Sequence, residues 1–179
     1  MFVTSLEHVL AVLILLGRLG DVGSTLFITP TMLLEANPIA RRFRWPVFAL
    51  GFVLCAVPYY SVELAVVVAV PSLLVTASNL SRGWFSRAVG EKEMESLLLR
   101  AATKSSLAVG LTMTNLAAAF LLLAAGLLFV LSAGPQSWGY WFAAGMGVYA
   151  VAIGLHGSLF MVRLFRRASR ELGQPIAAG

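Results

Sequence analysis

The chain is poor in most of what soluble chemistry draws on. It has one cysteine, Cys55, so no intramolecular disulfide can form and no Cys-rich metal site exists. Cys55 lies in an apolar run and reads as a small buried hydrophobe. There are two histidines, His8 and His156, and no His-Glu-x-x-His, P-loop, Gly-x-Gly-x-x-Gly or serine–histidine pair at workable spacing. Charged residues make up 12% of the chain, against roughly a quarter in a soluble domain. A soluble fold of this size would lack a surface. The N-terminus carries neither the basic stretch nor the cleavage pattern of a secretory signal, so the first apolar run is expected to be retained.

What is abundant is hydrophobicity: 59% of residues, with a mean hydropathy of +0.88. A bilayer core roughly 30 Å thick needs about 20 apolar residues per helical crossing. The apolar runs predict spans at about 8–33, 45–58, 62–80, 107–131 and 138–162. The expected fold is an all-α integral membrane bundle of about five transmembrane helices, a single transmembrane domain over 1–179. Asn37-Pro38 ends the first helix, and Pro58-Tyr59-Tyr60-Ser61 turns the second into the third. One long kinked helix over 45–80 is the alternative, giving four spans. The segment at about 84–104 carries Met94, Leu97, Leu98 and Ala101 near helical spacing, as an amphipathic helix on the membrane surface or against the domain would.

A net charge of +5 raises the possibility of nucleic acid, and the placement of the charge argues against it. Arg41, Arg42 and Arg44 follow the first span, five basic residues from Arg82 to Lys104 follow the third, and four arginines from Arg163 to Arg170 close the last. Positive charge beside apolar runs marks cytoplasmic loops. The expectation is a multi-pass protein of the cytoplasmic (inner) membrane, N-terminus outside and C-terminus inside. Its partners are the lipid bilayer and either other membrane subunits or further copies of itself, with no nucleic acid.

Polar residues at membrane depth carry the functional reading. Arg18 and Asp21 lie three apart in the first span, on one side of a helix, where they can pair. Thr25, one turn on, extends this intramembrane site, and Gly17, Gly20 and Gly23 let another helix approach. The alternatives are a ligand, proton or ion site and a buried tether between helices. Glu35 and Asn37 form Glu-x-Asn-Pro, which is turn chemistry or a pair of oxygen ligands. A straight helix puts them roughly 20 Å from Asp21, so only a break near Thr29-Pro30 that folds the segment back brings them together.

Asp21, then Ser24 or Thr25, then Glu35, Asn37 and Pro38 make a pattern that resembles an uncharacterised family of small prokaryotic multi-pass membrane proteins. The resemblance covers about the first quarter of the chain. It implies the choice of residues and no reaction.

His156, between Leu155 and Gly157, is a packed histidine, a further metal ligand beside Asp21, Glu35 and Asn37, or an axial ligand for haem or chlorin. Asn79 and Asn115 read as interhelical hydrogen-bonding residues, Pro71 as a kink in the third span, and Ala150, Gly154 and Ser158 as a small-residue stripe for a neighbouring helix or subunit. The leading expectation is a non-enzymatic accessory, binding or transport component around Arg18 and Asp21. The rivals are a membrane-embedded enzyme using a divalent metal on a lipid or isoprenoid, and a structural subunit of a larger complex.

Overall fold

The computed structural model describes residues 6–172, which form helices and no strand. In chain order these are α1 (Leu6–Ile28), α2 (Pro38–Phe43), α3 (Trp45–Val53), a 3-10 helix (Leu54–Tyr59), α4 (Val62–Val89), α5 (Glu91–Thr103), α6 (Leu107–Leu131) and α7 (Trp138–Leu172). Four stretches are long and apolar enough to cross a membrane: Leu6–Ile28, Val62–Val89, Leu107–Leu131 and Trp138–Glu171. A fifth, Trp45–Tyr59, is apolar but shorter. No more than 28% of the apolar window in any of the four is buried inside the chain. Side chains such as Leu123 and Val130 are therefore left for lipid, which is how an apolar helix exists without a soluble core.

The long helices form a row. α1 packs on α4, α4 on α7 and α7 on α6, while the 3-10 helix packs against both α1 and α4 and α3 lies beside α1. Small residues set each crossing. A Cβ on Gly17 would come within 2.9 Å of Ser72, one on Gly20 within 2.5 Å of Thr76, and one on Gly83 within 2.8 Å of Ile28. Both chains advance together through these contacts, so α1 and α4 run parallel.

The α6–α7 contacts run the other way. Gly110 faces Met161 and Phe165, Gly157 faces Thr114, and Gly139 faces Ser132, so these two helices are antiparallel. The stretch Trp45–Tyr59 is antiparallel to α1 along nearly its whole length. At one end an Arg44 guanidinium nitrogen donates to the Pro30 carbonyl at 2.7 Å. Midway, Gly51 packs on the Arg18 side chain. At the other end the Tyr59 ring meets His8 edge to face at 5.4 Å.

Several helix ends depart from the hydropathy boundaries. α1 stops at Ile28 rather than near residue 33, because the donors that follow it are diverted. The Glu91 carboxylate accepts from the Thr29 hydroxyl, from the Thr31 N–H and hydroxyl, and from the Leu33 N–H. α4 continues to Val89 and α7 to Leu172, beyond the expected 80 and 162, because arginines lower the hydropathy without breaking the helix. Residues 84–89 thus belong to α4, and the separate amphipathic helix is α5 alone. α5 buries Leu99 and Ala102 against Phe165 and Ala168 of α7. Pro58 does not form the turn, since it is buried inside the 3-10 helix. The chain reverses after it, at Tyr60 and Ser61, where the Ser61 hydroxyl oxygen accepts the Leu64 N–H and caps α4.

Candidate functional site

The face of α1 that meets α4 carries Gly17, Gly20, Ser24 and Thr25, and α4 answers with Ser72, Thr76 and Asn79 at spacings of four and three. With glycine on one side, the backbones approach closely enough for the Thr76 hydroxyl to reach the Gly17 carbonyl at 2.9 Å, while it also reaches Ser72 O on its own helix. One turn further on, the Asn79 amide nitrogen lies 3.2 Å from Ser24 Oγ, 3.3 Å from Thr25 Oγ1 and 3.5 Å from Asp21 Oδ1. Its two hydrogens are shared among three acceptors. Ser24 donates in turn to the Asp21 carbonyl at 3.1 Å.

Arg18 and Asp21 do pair, with Arg18 Nη1 3.5 Å from Asp21 Oδ2 and both side chains about a quarter exposed. The pairing is incomplete. Arg18 Nε is buried and has no hydrogen-bond partner among the described residues. The stem of Arg18 lies against Gly51, where a Cβ would sit 3.6 Å from Arg18 Cδ, so α1, α3 and α4 meet around one ion pair. Thr25 belongs to the cluster as expected, whereas Gly23 has nothing within 4 Å of its Cβ position and mediates no helix contact.

The break after α1 turns the chain back. Glu35 is consequently brought against α7 instead of continuing away along a straight helix. Arg163 of α7 fastens this return by donating to the Glu35 carbonyl at 2.7 Å. The Glu35 carboxylate accepts the Asn37 N–H at 2.7 Å. Asn37 Oδ1 accepts from Ile39 N–H and Ala40 N–H, with Pro38 in the first turn of α2. Glu-x-Asn-Pro is therefore a capping device in this chain. Burial raises the Glu35 carboxyl above its usual 4.5, and the Asn37 N–H and the charge of Arg163 take back only part of that rise.

No group of three or more His, Cys, Asp and Glu side chains comes together among the described residues, so Asp21, Glu35 and His156 do not make a three-ligand metal site. Asn37 spends its oxygen on the α2 cap. His156 lies half-buried on α7 with no hydrogen bond among the described residues. The space that its small neighbours leave is taken by α6, since a Cβ on Gly157 would come within 2.5 Å of Thr114 and one on Gly154 within 3.2 Å of Ala118.

The stripe of Ala150, Gly154 and Ser158 is likewise used inside the chain. Ala150 is fully buried, Gly154 meets Ala118 of α6, and Ser158 Oγ accepts from the Asn115 amide at 3.1 Å. Sequence reasoning missed Ser72, Thr76 and Gly51. The first two share a helical face with Asn79, a signal that the eye passes over in so apolar a run. Glu91 was missed as well, and nothing local to it announces a partner in the loop after α1. Comparison with protein-family models, curated proteins and solved structures finds no match to this chain, so the arrangement rests on its own geometry.

Proposed function

We propose that this chain is a five-span protein of the cytoplasmic (inner) membrane, N-terminus outside and C-terminus inside, acting as a small binding or transport component centred on Arg18 and Asp21. The parallel run of α1 and α4 supports the span count, because the intervening Trp45–Tyr59 has to return the chain across the same thickness. Nine α-helical and six 3-10 residues extend about 25 Å, slightly under a bilayer core of roughly 30 Å. The end bearing Arg44, α5 and the C-terminal part of α7 collects twelve of the thirteen basic residues, which supports the orientation.

The observation that carries the binding reading is the unsatisfied Arg18 Nε beside a long Arg18–Asp21 contact. A buried donor without a partner costs about 1–3 kcal/mol, and a closed structural tether would have no reason to retain that penalty. A ligand carrying an acceptor removes it. The test is mass spectrometry of small molecules co-purifying with the wild type, Arg18→Gln and Asp21→Asn, each checked for folding by size-exclusion chromatography. A species bound near one per chain in the wild type and lost from both folded variants supports the reading. The same species in all three samples, or none in any, makes the pair a packing device.

A metal-dependent enzyme acting on a lipid or isoprenoid is the second reading, favoured by the folding back of the segment that carries Glu35 onto the bundle. Stoichiometric divalent metal in the purified protein supports it only together with turnover of a lipid or isoprenoid, both lost in Asp21→Asn.

A further inference from the structure

Beyond the Arg18–Asp21 cluster, a separate cavity opens at the basic end of the bundle. It has a volume of about 450 Å³ and lies between α2, the loop after α1, α5 and the last turns of α7. Its charged lining is one-sided: Arg41 from α2 and Arg163, Arg166, Arg167 and Arg170 from α7, against the single carboxylate of Glu95. That carboxylate is already spent, because Glu95 and Glu171 both bind Arg167. Arg163 is held in place by the Glu35 carbonyl and by the Phe160 ring, 5.3 Å from its guanidinium carbon. Arg41, Arg166 and Arg170 have no carboxylate partner among the described residues.

The rest of the lining is apolar, with Leu33, Leu34, Leu98 and Leu99 facing Leu159 and Phe160. Leu159 is 46% exposed and lines the cavity next to Phe160, so an apolar chain entering beside the arginines meets an open apolar wall. A charged mouth above a greasy wall, at the depth where the last span gives way to arginines, matches a headgroup above an acyl or isoprenoid chain. Arginine forks bind phosphate oxygens in pairs, and basic pockets on the cytoplasmic side of helix bundles are suited to anionic headgroups. We infer that this cavity binds the phosphate of an anionic amphiphile, with Arg41, Arg166 and Arg170 on the phosphate and the chain lying along Leu159 and Phe160.

The experiment is native mass spectrometry of the detergent-solubilised full chain titrated with phosphatidylglycerol, with phosphatidylcholine and with inorganic phosphate. One phosphatidylglycerol is expected to bind about tenfold more tightly than phosphatidylcholine, with inorganic phosphate binding far more weakly. Arg166→Gln/Arg170→Gln removes two exposed charges from the cavity, and Arg82→Gln/Lys92→Gln removes two from elsewhere on the same end. The first pair is expected to abolish the preference for phosphatidylglycerol and the second to leave it. Equal loss in both pairs, or no preference in the wild type, overturns the site. Inorganic phosphate binding as tightly as the lipid overturns the amphiphile and leaves a site for a soluble phosphate.

Discussion

The Glu91 carboxylate accepts the hydroxyl hydrogen of Thr29 across 62 residues of sequence. The same carboxylate takes three further hydrogens from Thr31 and Leu33, and Thr29 Oγ1 accepts the Leu34 N–H. One side chain at the start of α5 thus satisfies the donors left bare where α1 stops, and in doing so fixes the return of Glu35 toward the bundle.

Glu91→Ala is therefore expected to destabilise the protein by about 1–3 kcal/mol, and Glu91→Gln, which keeps one acceptor oxygen, by less. Burial alone would raise the Glu91 carboxyl, but the Thr29 and Thr31 hydroxyls and the two backbone N–H groups outweigh it and hold it below 4.5. A depressed carboxylate stabilises the fold above its unfolded pKa and loses that contribution as pH falls through its folded one. Thermal unfolding in detergent, followed by tryptophan fluorescence, should show the gap between wild type and Glu91→Gln at pH 7 closing below about pH 4. A gap that persists there would mean that shape, and not charge, is what Glu91 supplies.

Membrane character, the basic asymmetry and the pairing of Arg18 with Asp21 were legible because each depends on residues near one another in sequence. The loop after α1 was not, since its conformation is decided by Glu91, which no local pattern links to Thr29. Hydropathy also misplaced the ends of α4 and α7 for a physical reason: it marks where the apolar run ends, and Arg82, Arg87 and Arg166 end that run while remaining helical. Of the three glycines singled out in α1, two face α4 and one faces nothing, because a spacing of three drifts around a helix with 3.6 residues per turn.

That drift yields a paired test. A methyl at residue 20 would lie 2.5 Å from Thr76 Cγ2 and one at residue 23 would meet nothing. Gly20→Ala should force α1 and α4 apart, break the Thr76 bond to Gly17 O and lower stability by about 1–3 kcal/mol. Gly23→Ala should be neutral or stabilising, by up to about 1 kcal/mol, from helix propensity alone. Equal losses in the two variants would show that α1 packs on α4 through a different face.

The Glu35 carboxyl is displaced in the opposite direction to that of Glu91. Its carboxyl is raised by burial, so its contribution to stability is complete below the unfolded pKa and is lost as pH rises through the folded value. At neutral pH the ionised group is a burden that Glu35→Gln lifts while keeping an acceptor for the Asn37 N–H. The variant should unfold at a slightly higher temperature than wild type at pH 8 and at the same temperature near pH 4. A lower unfolding temperature at pH 8 would mean that the Arg163 charge stabilises the carboxylate more than burial penalises it.

The span count can be tested at Tyr60, a residue 88% exposed just beyond the 3-10 helix. If Trp45–Tyr59 crosses the bilayer, Tyr60 and Gln136 lie outside while Arg82 and Lys104 lie in the cytoplasm. Single cysteines at these positions, in a chain with Cys55→Ala, would be probed with a membrane-impermeant maleimide on intact cells stripped of their outer layers. Residues 60 and 136 should label at once, and 82 and 104 only after permeabilisation. Labelling at 60 only after permeabilisation would place it on the same side as Arg44. The apolar stretch would then lie in the inner leaflet without crossing, and α1 and α4 could not run parallel as their glycine contacts require.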